Sequence, residues 1–149
     1  LGIFKDALVS FKQYENQYPD DPVVHFLLGK CMYHLNEYDT ARETFSNALV
    51  LNPYDYDSQY YIGLCYKRLG NLDKAAIALK KATLLNPDDP LSHFQIGQVY
   101  LALGKMRLAY NELNILQIIG SEFYDSLSMI IDYNLVKLDS ANFGNENLD

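Results

Sequence analysis

Residues 22–53 read PVVHFLLGKCMYHLNEYDTARETFSNALVLNP, and this stretch decides the fold because it comes back twice. Moved on by 34 residues it becomes YDSQYYIGLCYKRLGNLDKAAIALKKATLLNP, residues 56–87. Another 34 gives PLSHFQIGQVYLALGKMRLAYNELNILQIIG, residues 90–120. A fixed period of this length marks stacked structural units, each too small to bury its apolar face alone.

Several residue types hold the register together. Gly29, Gly63 and Gly97 fall 34 apart, as do Ala41, Ala75 and Ala109, and Phe45, Leu79 and Leu113. Ala48 and Ala82 repeat, with Leu116 in the third copy; Pro53 and Pro87 repeat, with Ser121 in the third. Apolar residues at helical spacing, such as Leu28, Cys31, Met32 and Leu35, predict two helices per copy. Helices are expected over residues 22–35 and 38–51, then 56–69 and 72–85, then 90–103 and 105–119. Asp21, Asp55 and Asp89 precede the first helices as N-caps, and Pro22 and Pro90 suit a first helical turn. Asn36, Gly70 and Gly104 stand where a left-handed residue would end each first helix.

This pattern resembles the tetratricopeptide repeat family. There a small residue late in the first helix and two alanines in the second let paired helices approach, a large residue fills the gap, and a proline ends the unit. The resemblance spans three copies and weakens in the third. The family's tryptophan early in each copy is replaced by His25, Gln59 and His93, which are expected to be packing residues. The implied fold is all-α, an α-α superhelix, with residues 1–138 as a single repeat domain: a second helix of a partial repeat (3–19), repeats at 22–55, 56–89 and 90–120, and a capping helix at 121–138. Ala7, Phe11, Tyr14 and Pro19 place the opening helix, 34 residues before Ala41, Phe45, Ala48 and Pro53. Residues 139–149 are polar and expected to be a disordered tail.

The resemblance also implies a concave face lined by the first helices, holding a peptide or protein segment. The groove positions map onto Val23, Phe26, Lys30, Tyr33 and His34, then Asp57, Tyr60, Leu64, Lys67 and Arg68, then Leu91, Phe94, Gln98 and Leu101. Phe26, Tyr60 and Phe94 fall 34 apart and would form a ladder of rings, with Lys30, Lys67 and Arg68 adding positive charge. The expected partner is a protein or peptide with apolar and acidic side chains. Phe26 and Leu64 stand where receptors for chaperone tails need polar or basic groups, which argues against that sub-class. Self-association is expected through the open face of the first helix, with Ile3, Leu8 and Phe11.

Composition narrows the classes further. A formal net charge of −7 argues against general nucleic-acid binding and against attraction to anionic lipid. No apolar run reaches the ~18 residues of a membrane span, and no leader pattern is read. The compartment is left open, with a cytoplasmic setting the default. Cys31 and Cys65, again 34 apart, read as buried reduced thiols. No nucleophile, metal-ligand or phosphate-loop motif appears, so neither catalysis nor a cofactor is expected. The reading is a non-catalytic scaffold or adaptor. The alternatives are a bacterial type III secretion chaperone of the same repeat type, which Glu122, Phe123 and Tyr124 weakly suit, or the repeat arm of a larger enzyme or assembly factor.

Overall fold

Three aspartates one period apart start three helices. Asp21 accepts a hydrogen bond from the Val23 amide (2.9 Å), Asp55 from Ser58 (3.1 Å) and Asp89 from Ser92 (2.7 Å). Each satisfies an amide that the first turn leaves without an intrahelical partner. The ends are equally local. Asn36, Gly70 and Gly104 take positive φ of 64°, 74° and 69°. The following amides of Glu37, Asn71 and Lys105 bond back to the carbonyls of Met32, Tyr66 and Tyr100 at 2.8–2.9 Å. That is the six-to-one closure of a left-handed helix stop.

The computed structural model describes residues 2–145. Among these residues the chain forms eight α-helices and no strand. They are α1 (Gly2–Gln17), α2 (Pro22–His34), α3 (Tyr38–Leu51), α4 (Tyr56–Arg68), α5 (Leu72–Leu85), α6 (Pro90–Ala102), α7 (Met106–Ile118) and α8 (Phe123–Asn145). The boundaries meet the sequence expectation to within two residues, except at α8. That helix runs past Leu138, where a polar tail was expected, because neither glycine nor proline interrupts it before Gly144. The rest of the expected tail lies outside the described residues.

The helices fall into two compact units, Leu1–Pro87 and Asp88–Asp149. In the first, α2 packs on α3, α3 on α4, α4 on α5, and α1 on α2. Its core gathers Ala41, Phe45, Ile62, Cys65 and Ala78. Glycine permits the close pairing. A Cβ built on Gly29 would lie 2.7 Å from the Phe45 ring, and one on Gly63 would lie 2.6 Å from Leu79 Cγ. Phe45 and Leu79 are fully buried, so neither can swing aside.

In the second unit α6 packs on α7, and α8 lies against both. Here the contact changes hands. A Cβ on Gly97 would meet Leu127 Cδ2 of α8 at 2.7 Å, and no atom of Leu113 is among the three nearest to it. Leu127 and Ile131 are fully buried and bring α8 close to α6. The helix α7 ends on Gly120 at φ 67°, whereas α3 and α5 end on extended asparagines before proline. With Ser121 in the proline's place, glycine supplies the stop.

Both cysteines are free and buried. Burial pushes the Cys65 thiol up to about 12 against the opposing Arg42 charge, and raises Cys31 against the opposing Lys30.

Two outcomes follow from this packing. Gly29→Ala gains up to about 1 kcal/mol of helix propensity but overpacks a filled site at a cost of about 1–3 kcal/mol. Urea unfolding is therefore expected to show a net loss of stability; a rise would contradict the close approach. At pH 8 neither thiol is expected to react with an aromatic disulfide reagent until the chain is unfolded, because the reactive species is the thiolate. Because the Cys65 pKa is raised in the folded state, its contribution is whole below the ordinary thiol value of 9.0 and fades as pH climbs toward 12. Rapid reaction of the native chain would contradict this burial.

Candidate functional site

The first helices place the residues expected to line a groove by their register. Within α2, Phe26, Lys30 and Tyr33 are half-buried and Val23 and His34 exposed. Within α4, Tyr60, Leu64 and Lys67 are half-buried and Asp57 and Arg68 exposed. Spacings of three or four put each set on one helix face. In the first unit these two faces meet through rings. Phe26 lies 5.9 Å from both Phe45 and Tyr61, Tyr33 lies 5.4 Å from Tyr61, and Tyr60 lies 5.7 Å from Tyr61. Tyr60 also stacks on Tyr56 at 6.0 Å.

Tyr61 thus joins the α2 and α4 residues, and the groove reading omitted it. Its repeat equivalents are Leu27 and Gln95, so periodicity carries no aromatic signal there. The signal available was the pair Tyr60 and Tyr61, which turns one ring outward and the next toward α2. Burial raises the Tyr61 hydroxyl above its ordinary value, with Tyr33 and Asp57 adding to the effect.

Cations border the rings. Lys30 Nζ sits 5.3 Å from the Phe26 centroid and 5.9 Å from that of Tyr61, within cation–π range. Arg68 Nε donates to Tyr33 Oη at 3.3 Å, and this bond raises the guanidinium's already high pKa. Burial lowers the Lys67 ammonium, and the neighbouring Arg68 charge lowers it further. At the end of α2, His34 stacks on Phe4 at 4.4 Å and meets the edge of Tyr33 at 5.7 Å. Beside this surface a cavity of about 190 Å³ is lined by Pro22, Val23, Phe26, Asn52, Asp55 and Asp57. The arrangement can hold an apolar side chain beside a carboxylate.

In the second unit Phe94, Gln98 and Leu101 are half-buried on α6 and Leu91 is exposed. Phe94 stacks on Phe123 of α8, centroids 5.1 Å apart, so its ring is partly covered within its own unit.

The residues at the family's tryptophan position pack and bond. Gln59 Nε2 donates to the Ala78 carbonyl at 3.2 Å, and buried His93 Nδ1 lies 2.7 Å from Glu112. His25 Nε2 lies 2.8 Å from the Pro19 carbonyl oxygen, while its Nδ1 is 3.3 Å from Glu15 but not aligned for a hydrogen bond. Among the described residues no three His, Cys, Asp or Glu side chains gather where they could share a metal ion, and no helix is long and apolar enough to cross a membrane.

Comparison with known proteins agrees with this architecture. A model described as "Tetratricopeptide repeat" matches residues 2–49, and one described as "TPR repeat" matches residues 63–104. No curated protein sequence matches the chain at a significant level. Among solved structures the chain is similar to MamA, at 24% identity over 80% of this chain and 70% of that one, with a TM-score of 0.76. It is also similar to the type III secretion translocator chaperone SycD of Yersinia enterocolitica, at 20% identity over 77% of this chain and 83% of that one, with a TM-score of 0.70. SycD in complex with a peptide of the translocator YopD gives a TM-score of 0.66, at 20% identity over 79% of this chain and 92% of that one. The two family matches, the 34-residue register and the glycine-mediated pairing of helices agree: the chain belongs to the tetratricopeptide repeat family.

Proposed function

We propose that the chain is a non-catalytic interaction module that grips an extended peptide or protein segment on the faces of its first helices. The observation that carries this reading is the half-exposed cluster of Phe26, Tyr33, Tyr60 and Tyr61, edged by Lys30 and Arg68. Aromatic rings with cations beside them suit a segment whose apolar side chains alternate with acids. Rings held in place before binding lose little freedom when a partner arrives, and such anchors commonly dominate interface energetics. The 34-residue register continues from residue 22 to residue 120, which supports reading residues 1–138 as one repeat domain. Within the second unit the same register proposes Leu91, Phe94, Gln98 and Leu101 of α6 as binding residues.

A specialised form of this function is a chaperone that holds an apolar client. It is favoured by the fold likeness to SycD, which was solved with a peptide of the translocator YopD. Glu122 and Tyr124 flank Phe123 at the start of α8, where Phe123 covers Phe94. An arm of a larger enzyme or assembly factor would use the same faces without chemistry of its own.

Selection from a displayed library of random peptides tests the reading. Enriched sequences are expected to combine apolar side chains with Asp or Glu. Tyr60→Ala is expected to weaken a selected peptide by about 2 kcal/mol, close to thirtyfold. Lys30→Glu with Arg68→Glu is expected to remove the preference for acids while helicity by circular dichroism stays unchanged. Peptides whose binding survives all three substitutions would place the site elsewhere.

A further inference from the structure

The helix α1 carries Lys5, Val9 and Lys12 along one face, spaced four and three residues apart. All three side chains are exposed, Val9 by 59%. The helix α8 carries Asp125, Met129 and Asp132 with the same four-and-three spacing. These too are exposed, Met129 by 72%. Among the described residues none of the four charged groups makes an ion pair. On each helix the charges stand about 10 Å apart along the axis, at a rise of ~1.5 Å per residue. Laid side by side, the two faces bring two lysines to two aspartates and Val9 to Met129.

The repeat register places each of these faces. One and two periods after Lys5 and Val9 come Asp39 and Glu43 of α3, then Asp73 and Ile77 of α5, all exposed in helices that have their repeat neighbours. The lysine face of α1 is therefore the outward face of a second helix, and a partner helix in its own repeat would leave it open. Asp125 and Asp132 fall one period after Leu91 and Gln98, so α8 carries acids on the face that corresponds to the proposed binding face of the first helices. The exposed Tyr133 and Val136 widen its apolar stripe. Of the other charges, Asp6 lies about 100° round the helix from Lys5, Glu15 stands 3.3 Å from His25 of α2, and Lys137 lies over the Tyr133 ring at 4.9 Å, at the edge of the α8 stripe.

We infer that the face of α1 bearing Lys5, Val9 and Lys12 docks on the face of α8 bearing Asp125, Met129 and Asp132 in a second copy of this chain. The charges fix register, and the apolar residues between them lose water. Because the two faces differ, the contact is head to tail, and copies continue into a ring or a filament. The contact is independent of the peptide-binding cluster, since none of its residues belongs to that cluster.

Sedimentation equilibrium of the full chain tests this. At low salt the mass is expected to rise with concentration above that of one chain. At ~0.5 M NaCl, where the screening length falls to a few ångströms, association is expected to weaken at least about tenfold. Lys5→Glu with Lys12→Glu, and separately Asp125→Lys with Asp132→Lys, should each give monomer of unchanged helicity. An equimolar mixture of these two variants should recover association, because each then offers the other a complementary face. A wild-type chain that stays monomeric would overturn the inference. So would association that survives either double variant, or a mixture that fails to recover it.

Discussion

Everything in the first unit depends on two helices approaching more closely than a β-carbon allows. Gly29 and Gly63 provide the missing atom, and the buried side chains of Phe45 and Leu79 occupy the space left. Alanines at 41, 48, 75 and 82 keep the opposing helix surface low beside those large residues. Close pairing tilts one helix against the next and buries the stripe that a single helix would leave in water. The remaining helix faces stay open, and the candidate binding cluster forms on two of them. The candidate binding surface is thus a consequence of the packing rule.

The second unit keeps the rule and exchanges the partners. Gly97 receives Leu127 from α8, and Ile131 stands where another repeat would have glycine. A buried isoleucine there fills the interface, so α8 packs as a cap against α6 and α7. The tryptophan position shows the same economy of means. Gln59 and His93 reach nineteen residues forward, to Ala78 and Glu112. The equivalent residue for His25 is Thr44, whose hydroxyl donates to the Thr40 carbonyl, and His25 turns back toward Pro19 and Glu15. One position therefore carries three polar solutions: the Ala78 carbonyl for Gln59, the Glu112 carboxylate for His93 and the Pro19 carbonyl for His25.

Much of this fold is legible in the sequence because its signals are local or periodic. Asp21, Asp55 and Asp89 cap their own helices, and Asn36, Gly70 and Gly104 close theirs, through atoms a few residues away. What could not be read depends on neighbours distant along the chain. The exchange of Leu113 for Leu127 at Gly97 is set by how α8 docks. The central place of Tyr61 is set by the meeting of α2 and α4, and periodicity hides it because Leu27 and Gln95 are its equivalents. The groove residues of α2 and α4 were legible as two faces. Their union through Tyr61, and the covering of Phe94 by Phe123, required the packed structure.

The most direct test of the close approach is a double-mutant cycle at Gly63 and Leu79, read by urea unfolding. Leu79→Ala removes both side-chain atoms that lie under 3 Å from a Cβ on Gly63. Gly63→Ala should therefore be costly in the wild-type chain and neutral or stabilising beside Leu79→Ala, with a coupling of about 1 kcal/mol or more. Effects that add to within about 0.5 kcal/mol would mean that the two residues do not meet, and would contradict the account.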